Sequence, residues 1–67
     1  MALPRRLSGR DREVLRLVAE GLSDRQIGER LVLSPHTVHR HEANIRTMLG
    51  QPSRAAAVAY AARLNLI

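Results

Sequence analysis

The chain has 67 residues and a formal net charge of +5, with eleven basic residues, all arginine, against six acids. That length supports one domain with a modest core, and because Tyr60 is the single aromatic residue the core must be aliphatic. There is no cysteine for a disulfide or a thiolate zinc site. No stretch approaches the ~18 consecutive apolar residues of a membrane span or shows the apolar run of a signal peptide, so the expectation is a cytoplasmic domain with no membrane partner and no cofactor.

Residues 1–7 form a lead-in, where Pro4 discourages helix and Arg5 and Arg6 add charge. They are read as a basic arm or as the boundary of a longer protein, and residues 8–67 as the domain itself. Ser8 with Asp11 three residues on makes a capping-box-like pair, and Val14, Leu15, Val18 and Leu22 follow at helical spacing, which predicts a first helix over roughly 9–20. Gly21 ends it. Ser23 with Gln26 repeats the capping signature for a second helix over roughly 24–31, with Ile27 and Leu31 inward. Only Val32 and Leu33 separate it from Ser34, so the second and third helices must cross sharply, as in a helix-turn-helix. Gly28 suits such a crossing, since a bulky side chain there would hold the third helix away. After Gly50 and the turn Gln51-Pro52, Ser53 caps a fourth helix over roughly 54–64, with Val58, Ala61, Ala62 and Leu64 as candidates for its inner side. Leu66 and Ile67 are expected to close the bottom of the core. The fold class is all-α, a four-helix bundle-like domain containing a helix-turn-helix.

The third helix, roughly 35–49, is the most informative element. Ser34 can cap it, and Pro35 stands at the first helical position, where a missing N–H costs nothing. At about 100° per residue, Val38, Ile45, Met48 and Leu49 share one sector. His36, His39, Arg40, Ala43, Arg46 and Thr47 lie opposite, a face with two arginines, two histidines, a hydroxyl and no acid. Arginine offers forked donors to phosphates and guanine edges, so this face suits nucleic acid, although arginine and alanine richness also follows from a GC-rich genome.

The run LSGRDREVLRLVAEGLSDRQIGERLVLSPHTVHRHEANIRTMLG followed by SRAAAVAYAARLNLI resembles the LuxR-type (FixJ/NarL/GerE-type) DNA-binding domain of bacterial transcription regulators, from Leu7 to Ile67. The matching residues include Leu7-Ser8, Arg12-Glu13-Val14-Leu15, Gly21-Leu22-Ser23, Thr37-Val38, His41, Asn44-Ile45, Leu49-Gly50 and Arg54-Ala55-Ala56. The resemblance implies a sequence-specific DNA-binding output domain of a response regulator or similar protein. Its third helix would lie in the major groove with His39, Arg40 and Ala43 facing bases, and Thr37 would bond a phosphate. Arg25 on the second helix would touch the backbone, with Ser34, His36, Asn44, Arg46 and Thr47 at the backbone or groove edge. The fourth helix would bring two copies together through Ala55, Ala56 and Ala59, setting a homodimer on a near-palindromic duplex. RNA polymerase is a further partner to expect.

Three residues depart from the family pattern. Gly9 stands where proline is frequent and should loosen the start of the first helix. His39 replaces a frequent lysine, so charge at that position depends on protonation. Glu42 occupies a boundary position that is often apolar, and Arg46 four residues later is its expected partner. His36, His39 and His41 do not make a metal site by spacing, because His41 points away from the other two; His41 is expected to orient the helix by a hydrogen bond at the core edge. Asp11, Glu13, Glu20, Asp24 and Glu29 are explained by capping and dipole effects, and no nucleophile with a partnered base or glycine-rich phosphate loop suggests an enzyme. Two alternatives remain at the level of sequence. One is the fourth region of a sigma factor; the other is a helical protein-interaction module with a basic face.

Overall fold

A computed structural model describes residues 7–67, which form four helices: α1 (Gly9–Ala19), α2 (Asp24–Leu31), α3 (Pro35–Leu49) and α4 (Arg54–Arg63). These bounds match the expected elements within a residue. The lead-in residues 1–6 lie outside the described residues. Leu7, placed in the lead-in by sequence, is buried in the core.

The helix starts follow from a simple local rule. The chain's four serines, Ser8, Ser23, Ser34 and Ser53, are the four N-caps. Each hydroxyl accepts the amide three residues on, at 3.0 Å from Asp11, 3.2 Å from Gln26, 3.1 Å from Thr37 and 3.1 Å from Ala56. Asp11 and Gln26 return the bond to the cap amide and complete two capping boxes. Gly9 is helical despite the missing proline, because the Ser8–Asp11 box holds both ends of that first turn.

The helix ends are equally uniform. Past each one, an amide bonds back five residues, Leu22 to Leu17, Leu33 to Gly28, Gln51 to Arg46 and Leu66 to Ala61, at 2.8 to 3.2 Å. The residue before each of these amides is left-handed: Gly21 (φ 94°), Val32 (φ 58°), Gly50 (φ 65°) and Asn65 (φ 59°). This is the Schellman pattern, which favours glycine and tolerates asparagine. Val32 is the exception, a β-branched residue in a conformation that crowds its side chain, and it is 89% exposed.

α3 packs against each of the other helices, while α2 and α4 do not approach one another closely. The core is aliphatic: Leu7, Val14, Leu15, Leu17, Ile27, Val38, Ile45, Leu49, Ala57 and Ala61. Two expectations for α4 are corrected. Ala57 and Ala61, one turn apart, are its buried residues, with Val58 half-buried, whereas Ala62 is exposed and Leu64 sits at the C-cap and is 51% exposed. The left-handed turn at Asn65 then brings Leu66 and Ile67 back against the core, as expected. At the α2–α3 crossing, a Cβ on Gly28 would fall 2.5 Å from the Leu33 carbonyl oxygen, so only glycine admits this turn.

Candidate nucleic-acid interface

Helical geometry decides which side of α3 is free. Val38, Glu42, Ile45 and Leu49 are buried, and His36, His39, Arg40, Asn44 and Thr47 are exposed. Ala43 and Arg46 are half-buried and border the exposed strip. No exposed residue of α3 is acidic; its one carboxyl, on Glu42, is turned inward. Thr37, Arg40, His41 and Asn44 line a shallow surface cleft at the side of this strip.

The N-terminus of α3 carries a hydroxyl pair beside its cap. The Ser34 hydroxyl accepts from the Thr37 amide and donates to Thr37 Oγ1 at 2.9 Å. Ser34 has then used its single hydroxyl proton, while Thr37, having accepted, keeps its own for an outside acceptor. Arg25 on α2 stands near this end with its side chain 85% exposed, held loosely by Glu29 at 3.7 Å. An ion pair that exposed contributes little and yields readily to a phosphate.

α3 is aimed by contacts on its inner side. His41 Nδ1 lies 2.8 Å from Asp11 Oδ1, and Asp11 Oδ2 accepts the Ser8 amide at 3.3 Å. One carboxylate thus joins the cap of α1 to the middle of α3. The orienting bond expected of His41 is present, and Asp11 is more than a capping residue: it is buried, which its first-turn position did not suggest.

A second tie was not foreseen. Arg54, on α4, donates through Nη1 to Asp24 Oδ1 at 2.9 Å and through Nη2 to the Leu22 carbonyl at 2.6 Å, and it pairs with Glu42 Oε2 at 3.2 Å. The expected Glu42–Arg46 pair is therefore corrected: Arg54 supplies the partner, and Arg46 lies beside Glu42 in the same crevice. The reason is that Glu42 falls within the apolar stripe of Val38, Ile45 and Leu49, so its carboxyl meets the α4 side of the core before it can reach the outer edge. That inward angle was available in the sequence as a signal that a partner was required; the partner's identity was not. Burial, with the carboxyl of Asp24 next to it, pushes the Glu42 acid up to about 7, while Asp24 is held below its usual range by hydrogen bonding from Glu42 and the charge of Arg54.

His39 reaches the outer edge of this group, its Nδ1 4.0 Å from Asp24 Oδ2. The fold thus gathers around His39 two acids that sequence spacing did not connect with it. His36, the 62% exposed side chain of His39 and the exposed Arg40 complete the outward surface. On α4, Ala55 and Ala59 are exposed, and Ala56 is half-buried with its amide engaged by Ser53. No helix among the described residues is long and apolar enough to cross a membrane.

Comparison with known proteins agrees with this architecture. The family model for bacterial regulatory proteins of the luxR family matches residues 5–61. A Mycobacterium tuberculosis protein named as HTH-type transcriptional regulator Rv0890c is 47% identical over 57 residues, 85% of this chain and 6% of its own length. The oxygen regulatory protein NreC of Staphylococcus aureus is 39% identical over 61 residues, 91% of this chain and 28% of its own. Among solved structures, the response regulator ChrA of a heme-sensing two-component system superimposes with a TM-score of 0.92 at 36% identity, over 98% of this chain and 33% of that one. The transcription factor GerE gives 0.86 at 33% identity, over 90% of both chains. The chain thus spans a small part of NreC and of the mycobacterial relative and nearly the whole of GerE. With four helices among the described residues, a helix-turn-helix at α2–α3 and a family match over most of its length, the chain belongs to the LuxR family of bacterial regulatory proteins, as a DNA-binding helix-turn-helix domain.

Proposed function

We propose that this domain reads a specific duplex sequence by placing α3 in the major groove, as the output unit of a cytoplasmic transcription regulator. The observation that carries the reading is the acid-free exposed strip of α3, with its inner side fixed to three helices and its N-terminus capped beside Thr37 and Arg25. His39, Arg40 and Ala43 face the base edges. Thr37 and Arg25 hold phosphates, and His36, Asn44, Arg46 and Thr47 lie at the groove edges. Ser34 acts indirectly by orienting the Thr37 hydroxyl. The small side chains of Ala55, Ala56 and Ala59 let two α4 helices approach, which sets two copies of α3 on the halves of a near-palindromic site. The sigma-factor alternative loses its ground, because the family match runs to residue 61 and takes in α4. RNA polymerase remains a partner of the full-length regulator in this reading.

Selection of bound sequences from a random duplex pool, followed by titration at several salt concentrations, tests it. A single enriched site with two related halves is expected, with affinity falling steeply and linearly in log–log form as salt rises. Absence of binding at low salt, with retention of an acidic protein partner instead, would leave the domain as a protein-interaction module.

A further inference from the structure

Glu42 is 6% exposed, and its Oε2 has no aligned hydrogen-bond donor although Arg54 Nη1 lies 3.2 Å away; the aligned contact from Arg54 reaches Oε1 at 3.5 Å. Donor atoms of Asp24, His39 and Glu42 fall within 4.8 Å of one another. The Arg54 guanidinium reaches this group, at 2.9 Å from Asp24. Only Arg54 makes a direct ion pair with the two carboxyls, Arg46 acting on Glu42 from beside it without one. A proton on Glu42 resolves both difficulties, giving its orphaned oxygen a hydrogen to donate toward Asp24 and reducing the pair to a single negative charge balanced by Arg54.

We propose that Asp24 and Glu42 form a proton-sharing pair beneath α3 that positions His39 and links DNA binding to proton uptake. The inference rests on the DNA-binding reading above. α2 supplies Asp24, α3 supplies Glu42, His39 and Arg46, α4 supplies Arg54, and α1 presents only the apolar Leu15 and Val18 to this crevice. With the proton in place, Asp24 keeps its charge and faces the His39 ring on the outward strip at 4.0 Å. Without it, one more negative charge sits under a surface that must meet a polyanion. Phosphates brought near the strip therefore favour protonation of Glu42, and binding weakens as pH rises. The raised affinity of Glu42 for its proton places that transition near neutrality.

The test is the affinity of the selected duplex between pH 6 and 8.5 at constant salt, for the wild type, Glu42→Gln and Glu42→Val. Each group that takes up a proton on binding weakens affinity by at most about tenfold per pH unit above its own transition. The wild type is expected to lose at least about fivefold more affinity over this range than either variant, neither of which has a carboxyl at position 42. In parallel, carboxyl-detected NMR of the free protein should show Glu42 titrating near neutrality. Either variant suffices if the other fails to fold. Tight binding with the same pH profile in wild type and variants would overturn the proposal while leaving DNA recognition intact, as would a Glu42 carboxyl ionised throughout the range. Failure to bind any duplex at any pH would remove the DNA reading and this inference together. Zn2+ binding that displaces Arg54 and requires Glu42 would replace the proton by a metal and likewise overturn it.

Discussion

Arg40 and Arg25 are both exposed arginines on the helix-turn-helix, but they differ in what surrounds them. Arg40 projects from the middle of the strip between His36 and Asn44, one turn from each, where a forked contact to a guanine is geometrically open. Arg25 stands on α2 beside Glu29, at the height of the α3 N-terminus. Arg40→Ala is therefore expected to cost about 1–3 kcal/mol of discrimination between the selected duplex and a shuffled one. Arg25→Ala should weaken both duplexes alike and reduce the salt slope by about one. Fluorescence titration of the two duplexes across a salt series reads both effects, and equal loss of preference from the two substitutions would refute the assignment of faces. Thr37→Val, which keeps the shape of the side chain but removes the free hydroxyl proton, should weaken all duplexes by about 1.5–3 kcal/mol, whereas Thr37→Ser should retain most of the affinity. At this scale the sequence was informative wherever a role follows from position on one helix. The outward placement of His36, His39 and Arg40 and the orienting bond of His41 were readable from angle alone. The partner of His41 was not, because Asp11 lies thirty residues away and its first-turn position already had a sufficient local explanation.

The helices begin and end where short-range chemistry dictates, which is why their bounds were legible. A serine hydroxyl reaches an amide three residues on, and glycine or asparagine relieves the left-handed residue at the end, so both signals sit within one turn of the boundary they mark. The end of α2 is different. Val32 gives no sequence cue for a left-handed conformation, and the turn adopts it because Gly28 lets the Leu33 carbonyl approach to a distance no Cβ would permit. The close crossing of α2 and α3 is thus bought with strain at Val32. Since that side chain is almost wholly exposed, replacing it sacrifices no packing. Val32→Asn is expected to stabilise the domain by about 1 kcal/mol, a rise of roughly 4–8 °C in melting temperature for a chain of this size. Val32→Gly should gain less, because glycine also frees the unfolded chain. Thermal melts of the three proteins distinguish these cases, and a lower melting temperature for Val32→Asn would show that the valine makes a compensating contact. Conversely, Ser34→Ala should cost about 1 kcal/mol of stability and also release Thr37, so that its effect on DNA affinity exceeds that of the Ser53→Ala substitution at the α4 cap.

For the molecule as a whole, α3 is the post against which the other helices are set, and the two side-chain ties that steady it, His41–Asp11 and Glu42–Arg54–Asp24, join residues distant in sequence. Periodicity could say that Glu42 faced inward; it could not say that α4 would bring an arginine to it. Arg54 also joins α2 to α4, which otherwise do not pack together. Arg54→Ala leaves two carboxyls facing each other without their direct ion-pair partner and should destabilise the domain by about 3 kcal/mol, more at high pH than at low. The pair makes stability itself depend on pH, with a definite sign. Glu42 has an ordinary value of 4.5 and is raised to about 7 in the folded protein, so over that interval the native state holds a proton the unfolded chain has released. Stability must then fall as pH rises from about 4.5 and level off above about 7. Asp24 acts in the opposite sense on the acid side: it is held below its ordinary 3.8, so its contribution is complete above that value and is lost as pH drops through the lowered one. Between them the two acids place the optimum of the pair near pH 4–5, with a loss on the order of 2 kcal/mol by pH 8. Glu42→Gln abolishes the alkaline decline but not the acid one, so melting temperatures compared at pH 5 and pH 8 should differ in the wild type and nearly coincide in the variant. A wild-type domain as stable at pH 8 as at pH 5 would mean that Arg54 holds Glu42 ionised, and Arg54 with its two acids would then be an ordinary salt-bridge group.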